Sequence, residues 1–256
     1  MISFGDIWNA GPVSTPITIP MGIAAVVGSF AVGVTMVGDF SRFSKSKRDC
    51  MIGVSIGHCW GYIPILMCGA FFNYAFHNWN IVEIMILSLG LGLFGALVLI
   101  IGQWTTNDNN LYTSVLGLMN TLDGISKVPR MRLTLIVGLI STAIAAVGLY
   151  KYFVTFLSLL GVFITPIGGI LIADFYICNR KNYDGGDVPQ GIKWDAIVSW
   201  AVASFVGVTM TARPVGLGWF VAVGDVIPVP LICIAVAMVL YVVSQKLQNR
   251  KLQNKA

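Results

Sequence analysis

Seven stretches of this chain are apolar over the length a helix needs to cross the hydrocarbon of a bilayer, about 20 residues. Cut at charged clusters and at Pro/Gly punctuation, they run roughly over 21–40, 51–72, 94–119, 133–149, 153–177, 196–211 and 226–243. Hydrocarbon offers no partner to a backbone N–H or C=O, so each spanning segment must satisfy its own. The fold class expected is therefore all-α integral membrane, with seven transmembrane helices. A further apolar stretch, 81–93, is read as a short re-entrant or surface helix leading into the third span.

Composition excludes the soluble alternatives. Of 256 residues, 56% are hydrophobic and 11% charged, with mean hydropathy +0.81. A soluble domain carries roughly 25% charged residues, because water meets it all round. The net charge of +5 would point to nucleic acid in a soluble chain, but here the bases sit in short clusters between apolar stretches, so no nucleic-acid partner is inferred. Cys50, Cys59, Cys68, Cys178 and Cys233 lie mostly inside or beside apolar runs with no Cys-x-x-Cys pair, which predicts neither a disulfide framework nor a zinc site. Gly185-Gly186 has no phosphate-binding frame, and no Ser/His/Asp or His-Glu-x-x-His arrangement exists. The chain is read as a non-enzyme.

Orientation follows from the bases, since cytoplasmic loops carry an excess of Lys and Arg. Fourteen of the sixteen fall after spans 1, 3, 5 and 7, leaving only Lys151 and Arg213 for the other side. The N-terminus is expected outside and the C-terminus in the cytoplasm. The first residues have no basic region, apolar core or cleavage site of a secretory signal. An external start with nothing upstream to begin insertion is read as a sign that further spans precede Met1; unaided translocation of a short neutral N-terminus is the alternative.

Polar groups inside an apolar helix are costly unless used, so two interruptions carry the functional reading. In span 1, Gly28-Ser-Phe-Ala-Val-Gly33 places two glycines about a turn and a half apart, with Ser29 and Phe30 offering a hydrogen bond and a stacking face. Either the helix unwinds there or the glycines serve ordinary close packing of helices. In span 3, Gln103-Trp-Thr-Thr-Asn-Asp-Asn-Asn110 is eight residues without one aliphatic side chain. On a helix Gly102, Thr105, Thr106 and Asn109 share a face, flanked by Asn107 and Asp108. Thr hydroxyls beside an exposed carbonyl are hard oxygen ligands for a sodium-sized cation, and Asn amides both donate to and accept from a heterocycle. Alternatively 83–101 spans by itself and the polar run is a cytoplasmic loop. Asp39 and Asp174 close spans 1 and 5 as helix-end pairs or gates, and Pro166 with Gly168-Gly169 bends span 5. His58, Glu83 and Trp104 are read as packing groups, with a proton or substrate role as the alternative.

The strings Gly28-Ser-Phe-Ala-Val-Gly-Val-Thr-Met-Val-Gly-Asp-Phe-Ser-Arg-Phe43, Gln103-Trp-Thr-Thr-Asn-Asp-Asn-Asn-Leu-Tyr112 and Thr165-Pro-Ile-Gly-Gly-Ile-Leu-Ile-Ala-Asp-Phe-Tyr176 closely resemble the cytosine permeases of the nucleobase-cation symporter family. That family has twelve spans, ten of them in two inverted five-helix repeats whose first and sixth helices are broken. The resemblance implies helices six to twelve: the second half of an inverted-repeat secondary transporter with a broken helix at span 1. The organisation expected is an external lead-in over 1–20, a five-helix repeat over 21–177, a cytoplasmic loop over 178–195, two additional helices over 196–245 and a basic tail over 246–256.

By the same resemblance Ser29, Phe30 and Gly33 line the nucleobase pocket, Gly102, Thr105 and Thr106 hold the cation, and Asn107 meets the substrate. Asp39, Asp108 and Asp174 are candidate gate or proton groups. The function implied is cation-coupled uptake of cytosine or a related nucleobase by alternating access, with Na+ or H+ as coupling ion, in the bacterial inner membrane. The partners implied are the nucleobase, the lipid bilayer, and either the missing N-terminal helices or a second copy. Rival readings are an inactive fragment or assembly component, and a seven-helix receptor of the same topology.

Overall fold

Helices occupy all seven apolar stretches in the computed structural model, which describes residues 5, 18–78, 80–121, 127–148, 152–178, 192–213 and 215–253. In chain order they are α1 (Ile19–Ser41), α2 (Lys47–Phe76), α3 (Ile81–Glu83) continuing as a π-helical stretch Ile84–Ser88, α4 (Gly92–Thr121) and α5 (Arg130–Ala146). Then follow α6 (Phe153–Phe163), α7 (Thr165–Ala173) continuing as a π-helical stretch Asp174–Cys178, α8 (Trp194–Met210), α9 (Val221–Gly224) and α10 (Val229–Gln253). Among the described residues there is no strand. Nearly all of the expected lead-in, most of the loop over 178–195 and the end of the tail lie outside the described residues.

Among the described residues three helices are long and apolar enough to cross a membrane: Lys47–Phe76, Thr155–Cys178 and Val229–Gln248. Ile19–Gly33 and Trp194–Met210 are shorter apolar helices. The chain divides into two compact units, 1–16 with 39–147 and 17–38 with 148–256.

In the first unit α2 starts at Ser46, whose hydroxyl accepts from the Asp49 N–H at 3.1 Å, and stops at His77, in the left-handed region at φ 49°. A side-chain oxygen at a helix start satisfies an N–H that has no intrahelical partner. Asn80 does the same for Val82 and Glu83 at the head of α3. The stretch 81–93 is thus a short helical piece separate from α4, as expected. No α2 side chain is buried. Among the described residues of this unit Ile84, Gly95, Val115 and Leu133 are buried, contributed by the π-helical stretch, α4 and α5.

The second unit is the better packed. α10 crosses α7 and α8 through small residues, with Ala173, Ala203 and Ala237 fully buried beside Ile170 and Tyr241. Where lipid is as apolar as a side chain, helices associate by close van der Waals contact, which favours such residues. A β-carbon added at Gly169 would lie 2.6 Å from the Ile234 carbonyl oxygen.

The expected bend of span 5 is a break in its hydrogen-bond ladder. Pro166 has no N–H to donate, and Ile167 N donates to Ile164 O at 3.0 Å, one residue short of the α-helical partner. The Phe163 carbonyl so released accepts from the Trp200 indole Nε1–H at 2.7 Å, and the Thr165 hydroxyl covers Gly161 O at 2.6 Å.

Candidate functional site

Span 1 carries the first group of expected site residues, and here the structure corrects the sequence reading. α1 runs without interruption from Ile19 to Ser41, so the helix expected to be broken at Gly28–Gly33 is continuous. The glycines serve approach instead. A β-carbon at Gly28 would lie 2.5 Å from the carbonyl oxygen of Leu157 on α6, and one at Gly161 would lie 3.4 Å from the Gly28 α-carbon. Backbone meets backbone there, and the close-packing alternative is the one the structure adopts.

One turn further on, the Phe30 ring lies along the helix against Gly33. Its Cζ is 3.0 Å from where a Gly33 β-carbon would stand, so any larger residue at 33 would displace the ring. The ring is exposed. Ser29 is half-buried and donates from its hydroxyl to Val26 O at 2.7 Å, a local bond that leaves the helix intact. The structure thus brings Phe30 and Gly33 together and keeps Ser29 beside them. The side chain of Asp39 lies outside the described residues.

The second group sits on α4, in the other unit. The helix continues through Gly102 to Asn110, so the polar run is helical. All nine residues of that stretch are exposed. The Thr105 hydroxyl donates to Gly102 O at 3.4 Å, a local bond within the helix. Asn107 and Asp108 look elsewhere, into a hollow of about 400 Å³ shared with Gln103, Trp104 and Leu111. Asp108 also lines a second hollow, of about 270 Å³, with Asn109, Tyr112 and Arg130. Asp108 therefore lines both hollows. Among the described residues no cluster of three His, Cys, Asp or Glu could hold a metal ion.

Sequence reasoning missed Tyr112. Arg42 Nη2 donates to its hydroxyl at 2.8 Å, and the Arg130 guanidinium carbon stands 4.2 Å over its ring. The residue following the polar run is thereby clasped by two arginines of the Lys/Arg-rich side. Both strings holding Arg42 and Tyr112 are visible in the sequence, but nothing in either names the other as partner.

Asp174 is buried, at 5% exposure, in the π-helical stretch that follows α7. It accepts from Tyr241 Oη at 2.6 Å and pairs with Lys193 Nζ at 3.2 and 3.3 Å. Gln245 Nε2 reaches the Tyr241 hydroxyl at 3.4 Å and also donates to Asp195. This network ties the π-helical stretch, the start of α8 and the middle of α10 together around one buried carboxylate. Such an arrangement is a clamp.

Comparison with known proteins then supplies the family. The family model described as permease for cytosine/purines, uracil, thiamine, allantoin matches residues 2–229. The cytosine permeases of Escherichia coli K12, O6:H1 and O157:H7 are each 33% identical over 204 residues, which cover 79% of this chain and 47% of theirs. The chain spans about half the length of the curated relatives it matches. No solved structure matches it.

Proposed function

Because this chain belongs to the family of permeases for cytosine/purines, uracil, thiamine and allantoin, we propose that it carries the nucleobase- and cation-binding half of a secondary transporter for cytosine or a close nucleobase. The family is one of transporters rather than enzymes, and the protein is integral to the membrane. In this reading the residues correspond to helices six to twelve of the family pattern, in an inverted repeat, in the bacterial inner membrane with the C-terminus in the cytoplasm.

The observation that carries the reading is α4. Its 30 residues remain helical across eight positions with no aliphatic side chain. In a membrane, such a helix is stable only where those groups have polar company. Thr105 and Thr106 with the Gly102 carbonyl supply oxygens for the coupling cation, and Asn107, on the same helix, presents its amide to the base. Phe30 supplies the stacking face, with Ser29 and Gly33 beside it. A cation held at Thr105 and Thr106 fixes the turn that orients Asn107, so each ligand raises affinity for the other by the same factor.

The test is cytosine binding with and without sodium, across a pH range, by this chain alone and by this chain joined to the upstream half found in its relatives. Sodium-dependent binding by the joined form, lost in Thr105→Ala/Thr106→Ala, supports the reading. Binding or uptake unaffected by those two changes sinks the coupling. A response to pH but not to sodium assigns the proton as coupling ion.

A further inference from the structure

We propose that the second unit holds a zwitterionic phospholipid with a primary ammonium headgroup, its phosphate on Arg213 and its ammonium on Asp225. The segment between α8 and α10 is tightly folded. Leu217 N donates back to Val208 O at 2.9 Å, and Trp219 N and Phe220 N both donate to Thr209 O, at 2.9 and 3.0 Å. Gly218, at φ +68°, makes the left-handed turn that this return needs. Arg213 is fixed by the same turn, its Nε donating to Leu217 O at 3.1 Å, which leaves its other N–H groups available. Asp225 follows α9, its backbone N–H bonded to Val221 O at 3.0 Å.

Both charged residues line a cavity of about 320 Å³ within this unit, whose remaining walls are mainly apolar and include Ala25, Val162, Val221 and Val229. Among the described residues no ion pair joins Arg213 to Asp225. Arg213 is exposed and Asp225 half-buried, so both can reach a ligand, and one that engages both charges and the apolar wall has three parts: an anion, a cation with N–H donors and an apolar body. A free nucleobase lacks the apolar body. An anionic lipid satisfies Arg213, whose guanidinium suits phosphate, but sets a negative charge against Asp225. A choline headgroup has no N–H to give a carboxylate. A phosphatidylethanolamine answers all three requirements, and the cavity is lined by the last residue of α8, Met210, and the first two of α10, Val229 and Pro230.

The experiment is lipid retention by the purified chain, measured by native mass spectrometry after exchange into nanodiscs. These contain equal parts of phosphatidylethanolamine, phosphatidylcholine and phosphatidylglycerol with identical acyl chains. Phosphatidylethanolamine is expected to be retained roughly tenfold over the other two, the worth of one hydrogen bond to a charged group. Asp225→Asn should reduce it to the phosphatidylcholine level, and Arg213→Gln should lower all three. Ala25→Leu, which fills the cavity and leaves both charges in place, should also release it. Equal retention of the three lipids by the unmodified chain overturns the proposal without any variant. So does a preference for phosphatidylglycerol, or an ethanolamine preference that survives Asp225→Asn.

Discussion

The hydroxyl of Tyr241, a residue with no exposed surface, donates at 2.6 Å to the carboxylate of Asp174, 67 residues earlier in the chain. Tyr241→Phe removes that donor and takes one hydrogen bond from the buried carboxylate. The expected cost is about 1.5–3 kcal/mol, the range for hydrogen bonds to charged groups. Thermal unfolding of the detergent-solubilised protein should show it as a lowered Tm. Tyr176→Phe, at an exposed position whose ring packs on Phe175, should leave Tm where it was.

Trp200 guards the break in span 5. Trp200→Phe keeps an aromatic ring near Phe163 but removes the only donor that the released Phe163 carbonyl has among the described residues. A loss of about 1–3 kcal/mol is expected for a carbonyl left unsatisfied. Denaturant or thermal unfolding checks it, and an unchanged midpoint would mean that another group caps the carbonyl.

Two glycine substitutions should move stability in opposite directions. Gly28→Ala drives a methyl group against the Leu157 carbonyl, which as backbone yields only by shifting the helix, and should cost about 1–3 kcal/mol. Gly57→Ala meets nothing within 4 Å on α2 and should gain about 0.5–1 kcal/mol from the better helix former. Paired melting curves separate the two.

Phe30→Ala should weaken cytosine binding about tenfold, the lower part of what base–aromatic stacking supplies, while Phe30→Tyr should keep it. Titration of labelled cytosine into a binding-competent form is the measurement. Equal affinity in both variants would place the base elsewhere.

The arginine clasp on Tyr112 divides by chemistry. Tyr112→Phe removes the Arg42 bond and retains the ring under Arg130, whereas Tyr112→Leu removes both. A double-mutant cycle between Tyr112→Leu and Arg130→Gln should report a coupling of about 0.5–1 kcal/mol, the worth of an exposed cation–aromatic contact.

The helices were legible because apolar length alone forces them: every one of the seven expected stretches is helical, and the polar run stood out because it contains no aliphatic residue. The continuity of α1 was not. Two glycines on one helix permit either unwinding or close approach, and what selects between them is the Leu157 backbone, more than a hundred positions away. Separations of 37 and 67 residues hide the Trp200–Phe163 and Tyr241–Asp174 bonds, whose partners share no local pattern. Tyr112 was hidden differently. Its motif was on the page, but a tyrosine clasped by two arginines reads from sequence as an ordinary interfacial aromatic.

The length of α2 carries a consequence of its own. Its 30 residues rise about 45 Å, against a hydrocarbon thickness of about 30 Å, and none of its side chains is buried. An over-long helix relieves hydrophobic mismatch by tilting or by standing proud of the membrane. With Lys47 and Arg48 anchoring one end in the headgroups, α2 should lean further in a thin bilayer than in a thick one. That makes its inclination a gauge of the membrane around it.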